Sequence, residues 1–148
     1  MKTGFKTKTS WREKLETHRE PQIHRVLIPG SYDVEKLIKK VPSRKLITNK
    51  QLKDILTEKY KVNATCVKVL GIHIRIVAEA AEEELNEGGK VVTPYWRVIK
   101  KDGALYPKFP GAPKKQAAKL KEEGHTTIPG KGKKQPAVKN FENYLIKI

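Results

Sequence analysis

The chain has 148 residues, 37% of them hydrophobic, and a formal net charge of +16 from 32 Lys and Arg against 16 Asp and Glu. That length gives one domain with a modest core. The charge calls for a polyanionic partner, nucleic acid before membrane, unless the lysines serve solubility alone. The lone Cys66 excludes an intramolecular disulfide, and the scattered His18, His24, His73 and His125 offer no zinc set. No apolar run nears the roughly 20 residues of a membrane span. With no signal-like apolar stretch at the start, a cytoplasmic monomer without metal or cofactor is expected.

In chain order, residues 1–20 are polar and charged, and Trp11 and Leu15 at i, i+4 spacing predict a short, marginal helix docked through Trp11. Val26-Leu27-Ile28 is an extended segment ended by a turn at Pro29-Gly30. Either Ser31 or Asp33 can cap the next helix, whose Val34, Leu37, Ile38 and Val41 share one face until Pro42 stops it. Thr48 or Asn49 caps a further helix with Leu52, Ile55 and Leu56 inward. After a turn at 62–64, a long helix opens at Thr65. It carries a stripe of Val69, Ile72, Ile76, Val77, Ala80 and Ala81 and ends at Gly88-Gly89. Its acidic far end, Glu82-Glu83-Glu84 with Glu87, reads as a solvated face turned away from any polyanion.

Beyond it, Val91-Val92 and Tyr95 to Ile99 alternate like a strand, Asp102-Gly103 is a hairpin turn, and Ala104-Leu105-Tyr106 forms the return. A Pro/Gly loop from Pro107 to Pro113 leads into a basic helix, Lys114 to Glu123, with Ala117, Ala118 and Leu120 inward. In the tail, Ala137, Val138, Phe141, Tyr144, Leu145 and Ile146 are expected to return to the body after a Gly/Lys loop. Helix, turn, helix and β-hairpin in that order predict an α+β, mainly helical fold of winged helix-turn-helix type. Charge placement agrees: residues 63–92 carry 3 basic and 5 acidic groups, and residues 93–148 carry 13 and 4. One acidic helix is therefore enclosed by basic segments.

Pro94-Tyr95-Trp96-Arg97-Val98-Ile99, followed by Lys100-Lys101-Asp102-Gly103, resembles the active-site segment of the O6-alkylguanine-DNA alkyltransferases. Further stretches resemble that family in the same order: Val41-Pro42 through Lys45-Leu46-Ile47-Thr48, then Gln51-Leu52, then Arg75-Ile76-Val77-Ala78-Glu79-Ala80. Pro110-Gly111, Gln116, Leu120 and Glu123-Gly124 match its closing helix, so the resemblance covers residues 42–125. It implies a division into a basic N-terminal extension (1–30), an alkyltransferase-like winged-helix domain (31–125) and a basic C-terminal extension packed on it (126–148).

In that family the positions of Tyr95 and Trp96 hold the acceptor cysteine and the histidine that activates it. A phenol is mostly protonated at neutral pH, and an indole N–H is a donor only, so both halves of the nucleophile–base pair are missing. The resemblance thus implies a non-enzymatic, alkyltransferase-like protein that binds double-stranded DNA, senses alkylated or distorted sites such as O6-alkylguanine, and passes them to downstream repair proteins. A winged-helix regulator or nucleoid-type protein without lesion recognition is the alternative, and an RNA- or ribosome-associated protein is a third reading.

Candidate residues follow from the same alignment. Arg75 stands where the family inserts an arginine into the duplex beside a flipped nucleotide, with a surface ion pair to Glu79 as the plain alternative. Asn49 replaces a pocket tyrosine. Lys68 and His73 are expected to face phosphate, as are Arg97, Lys100, Lys101 and Lys108 in and around the wing. Tyr95 and Trp96 either stack on a base or plug the emptied pocket as core. Cys66, at a helix start, is either a reactive thiol or a structural one.

Overall fold

The computed structural model describes residues 10–23 and 25–147, so residues 1–9 of the N-terminal extension and His24 lie outside the described residues. The described residues form a mixed α+β fold of five α-helices and three small sheets. Helix α1 (Trp11–Thr17) precedes strands β1 (Gln22–Ile23) and β2 (Val26–Ile28), then helix α2 (Ser31–Lys39). Strand β3 (Ile47–Thr48) leads into α3 (Asn49–Tyr60), and β4 (Ala64–Thr65) into the long α4 (Val67–Asn86). A 3-10 turn at Tyr95–Arg97, β5 (Val98–Ile99), α5 (Lys114–Glu122), β6 (Thr127–Ile128), β7 (Ala137–Val138) and a last 3-10 turn at Phe141–Tyr144 follow.

The helix starts have local causes. Thr48, not Asn49, caps α3: its hydroxyl accepts from Gln51 N while the Gln51 side chain accepts from Thr48 N, a reciprocal capping box. For α2 the cap is Gly30, with no side-chain bond, because Ser31 instead donates its hydroxyl to the Leu15 carbonyl. A Cβ at Gly30 would collide with the Arg19 carbonyl, so only glycine allows this close approach.

Seven residues are too few for a helix stable in isolation. α1 is nevertheless formed, by a Ser10–Glu13 capping box and by α4. The Glu83 carboxylate accepts from Trp11 N (3.2 Å) and Arg12 N (3.3 Å), and Arg12 pairs with Glu35 (3.0 Å) and Glu84 (2.7 Å). Leu15 is fully buried beneath it. Glu82, Glu83 and Glu84 are therefore not the solvated face expected from the charge run but a dock, while Glu87 is exposed as expected.

The main core joins Leu27, Val34, Ile38, Leu52, Leu56, Leu70, Ile74 and Val77, and a second cluster joins Leu46, Ile99, Leu105, Leu120 and Val138. The C-terminal segment reaches the start of β3 and α3: Leu46 N donates to Tyr144 O (2.8 Å), Ile146 N to Leu46 O (2.9 Å), and Gln51 Nε2 to Ile146 O (2.9 Å).

The expected strand over Tyr95–Ile99 and its hairpin do not form as such. Tyr95 to Arg97 turn as a 3-10 helix, and β5 runs parallel to β3, pairing Val98 with Ile47. The Asp102-Gly103 turn is present, with Lys100 N donating to Ala104 O (2.9 Å). Residues 104–105 then bond to the C-terminal segment, Leu105 N to Pro136 O (2.9 Å) and Ala104 bridged to Ala137. Ladder groups are taken elsewhere: Pro94 has no N–H to give, and buried Gln116 donates to the Trp96 and Val98 carbonyls while accepting from Tyr106 N.

Candidate nucleic-acid interface

The N-terminal half of α4 presents a bare face. Val67, Lys68, Gly71, Ile72 and Arg75 lie on one side and are exposed, Val67 at 65% and Ile72 at 50%, whereas Leu70, Ile74 and Val77 point into the core. Gly71 is unusual: a Cβ there would meet nothing within 4 Å, so packing does not demand a glycine that weakens the helix. A bare helical Gly on an exposed face suits close approach by another molecule.

A cleft flanks this face on each side, and the two meet at Gly71. The larger, about 600 Å³, runs from Trp11 and Lys14 on α1 past Lys68 and Arg75 to Lys100, Tyr106, Lys108 and Phe109. The smaller, about 340 Å³, is lined by Asn49, Lys50, Lys53 and Lys101. Among the described residues no carboxylate lines either cleft. Tyr106 and Phe109 are stacked (4.6 Å between centroids, 12° between planes), with Lys100 Nζ 5.6 Å above Tyr106. The buried Tyr106 hydroxyl faces Asn49, yet neither it nor Asn49 Oδ1 has a well-formed hydrogen-bond partner. Burial pushes this phenol above its ordinary value, against a smaller opposite pull from Asn49.

Six of the expected contacts, Arg75, Asn49, Lys68, Lys100, Lys101 and Lys108, thus gather around the bare face. Arg75 has two weak, partly exposed partners: its guanidinium lies 3.4 Å from the Glu79 carboxylate and 5.3 Å from the centre of the Trp11 ring. The remaining four are placed elsewhere. His73 is buried, since at about 100° per residue it lies some 200° round the helix from Gly71. Burial, then the charge of neighbouring His18, lowers its pKa despite an opposing hydrogen bond at Pro29, which keeps the ring neutral rather than phosphate-binding.

Tyr95 is fully buried and donates its hydroxyl to Glu82 Oε2 (2.7 Å), while Lys115 pairs with the same carboxylate. Burial, then this carboxylate, push the phenol far above its ordinary value. Tyr95 is a core plug, and a phenol held protonated is no nucleophile. Trp96 donates Nε1–H to Glu123 (2.8 Å), and its flanking cations are Lys119 (4.7 Å) and Arg97 (5.7 Å). Arg97, expected on phosphate, is consumed internally: it bonds Glu123 from Nε and Nη2 and donates to the Val41 carbonyl (2.6 Å). Burial would raise the Glu123 carboxyl, but the bonds from Arg97, Trp96 and Arg44 N outweigh it and hold it below its ordinary value. Cys66 is half-buried at the start of α4, where its N–H donates to Leu27 O (2.8 Å).

Sequence reasoning missed the α1 wall and the Tyr106–Phe109 pair. Trp11 and Lys14 share a helix face at i, i+3, a signal present in the sequence; nothing local says that this face meets Arg75, 64 residues on by subtraction of the two positions.

No protein-family model and no curated protein matches the chain. Two solved structures share its fold. One is S. pombe Atl1 in complex with damaged DNA containing O6-carboxymethylguanine, at a TM-score of 0.55 and 15% identity over 80% of this chain and 94% of that chain. The other is S. pombe ATL in complex with DNA, at a TM-score of 0.54 with the same identity and coverage.

Proposed function

We propose that this chain is a non-catalytic DNA-binding protein that senses alkylated or distorted DNA. The observation that carries the reading is the bare, cation-flanked N-terminal half of α4, set in a fold shared with structures solved on DNA. In this reading α3 and α4 act as a helix-turn-helix, with the Lys100–Gly103 turn in place of a wing. Lys68, Arg75, Lys100 and Lys101 contact phosphate, and α4 lies in the groove with Gly71 nearest the bases. Transfer chemistry has no nucleophile at Tyr95 and no proton acceptor at Trp96.

Affinity for matched duplexes with and without O6-methylguanine, measured across a salt series, tests this. Binding should weaken with a log–log slope of about −0.9 for each phosphate neutralised, and the lesion should bind more tightly. A preference below about twofold would retire lesion sensing and leave a duplex-binding regulator. That second reading is favoured by Tyr95 and Phe109, whose rings meet edge-to-face at 5.3 Å and fill the space behind the cleft. A flat salt response would remove duplex binding altogether. Arg75→Ala should weaken lesion binding more than undamaged-duplex binding, and the intact mass of the protein should not change after incubation with alkylated DNA.

A further inference from the structure

α1 lies outside the stretch that resembles the alkyltransferases, yet Trp11 and Lys14 form one wall of the larger cleft. The stacked Tyr106 and Phe109 also line this cleft, so aromatic side chains from two separate segments meet it together with exposed lysines. Its volume, about 600 Å³, falls in the range of clefts that hold small planar ligands. Trp11 is firmly seated, with its backbone N–H on Glu83 and the neighbouring Arg12 clamped between Glu35 and Glu84. Its ring meanwhile carries two loosely held cations, Lys14 Nζ at 4.3 Å and the Arg75 guanidinium at 5.3 Å from the centroid.

We propose that this cleft takes one unpaired nucleobase, stacked on Trp11, with the flanking phosphates held by Lys14, Lys68 and Lys108. Arg75 rests on the indole until the base displaces it. The exchange runs in that direction because a partly exposed cation over a ring is a weaker contact than a base stacked on it. The displaced guanidinium is then free for phosphate, since its bond to Glu79 is long and exposed. Trp11 is thereby a specificity determinant for unpaired over paired DNA. The inference rests on the DNA-binding reading above.

The test compares a short, fully paired duplex with the same duplex carrying one unpaired thymine, at fixed salt, for the full chain and its Trp11→Ala and Trp11→Phe variants. The full chain should favour the unpaired base about tenfold, the scale of one base–aromatic stack. Trp11→Ala should lose that preference while keeping its paired-duplex affinity and salt slope; Trp11→Phe should keep most of it. The chain has two tryptophans, so in Trp96→Phe the emission comes from Trp11 alone and should be quenched by the unpaired-base duplex more than by the paired one. This readout serves even where Trp11→Ala fails to fold. Equal preference in Trp11→Ala and the full chain, or equal quenching by both duplexes, would overturn the inference and leave DNA binding standing. Salt-insensitive binding of the paired duplex by the full chain would overturn both.

Discussion

At its C-terminal end α4 carries Glu82, Glu83 and Glu84, and near its N-terminus Lys68; both ends bear the charge that the helix dipole disfavours. The two ends resolve this differently. The acidic end is satisfied from within: Glu82 by Tyr95 and Lys115, Glu83 by the first N–H groups of α1, Glu84 by Arg12. Lys68 is exposed at the edge of a cleft that holds further cations and no carboxylate. A charge placed against the dipole and matched internally is architecture; one left unmatched beside bare N–H groups is a field that an anion can complete.

Substitutions at the two ends should separate these roles. The largest effect belongs to Glu82→Ala, which strands the Tyr95 hydroxyl and Lys115 and should lower stability by about 3 kcal/mol in urea unfolding. The loss should persist in Tyr95→Phe only in small part, because Glu82 then keeps Lys115. Gly71→Ala should act in opposite directions on the two properties. It should raise stability by roughly 1 kcal/mol, as expected for a helix interior with room for a methyl group, and lower DNA affinity. Unchanged affinity would move the contact face away from Gly71. Lys68→Ala should leave unfolding unaltered and reduce the magnitude of the salt slope by about 0.9.

The gentlest effect is on pH. His73 and His125 are both buried with lowered pKa values, chiefly through burial, so the unfolded chain binds protons that the fold resists. Their contribution is full above the unfolded value of about 6.5 and declines as pH falls below it. Glu123, held below its ordinary value, contributes above about 4.5 and is lost at lower pH as it protonates. Denaturation midpoints between pH 8 and pH 3 should therefore fall in two stages, and a midpoint independent of pH across 7 to 5 would contradict the neutral, buried histidines.

Much of the fold was legible because helices are written in local periodicity. α2, α3, α4 and α5 lie where the apolar spacing puts them, although Ile72 of the expected α4 stripe faces outward, and the Thr48–Gln51 box marks its own helix start. What depends on distant partners was not. Glu82 to Glu84 read as a solvated face because runs of carboxylates are nearly always exposed; their partners sit in α1, in α5 and at Tyr95. Arg97 read as a phosphate contact for the same reason, since nothing near it in sequence announces Glu123, 26 residues away. The hairpin failed because turn chemistry at Asp102-Gly103 fixes the bend but not the strand that receives the return.

The bond between Glu83 and the start of α1 also bears on the order of assembly. Trp11 and its acceptor are 72 positions apart, so α1 is synthesised long before the carboxylate that fixes it exists. A seven-residue segment gains little from its own backbone bonds while it waits, and closing so large a loop costs entropy that only the finished α4 end can offset. α1 is therefore expected to be the last helix secured during refolding and the first released under mild denaturant. Hydrogen exchange should show its amides opening before those of α3 or α4, so that Trp11 is lost while the body of the domain still stands.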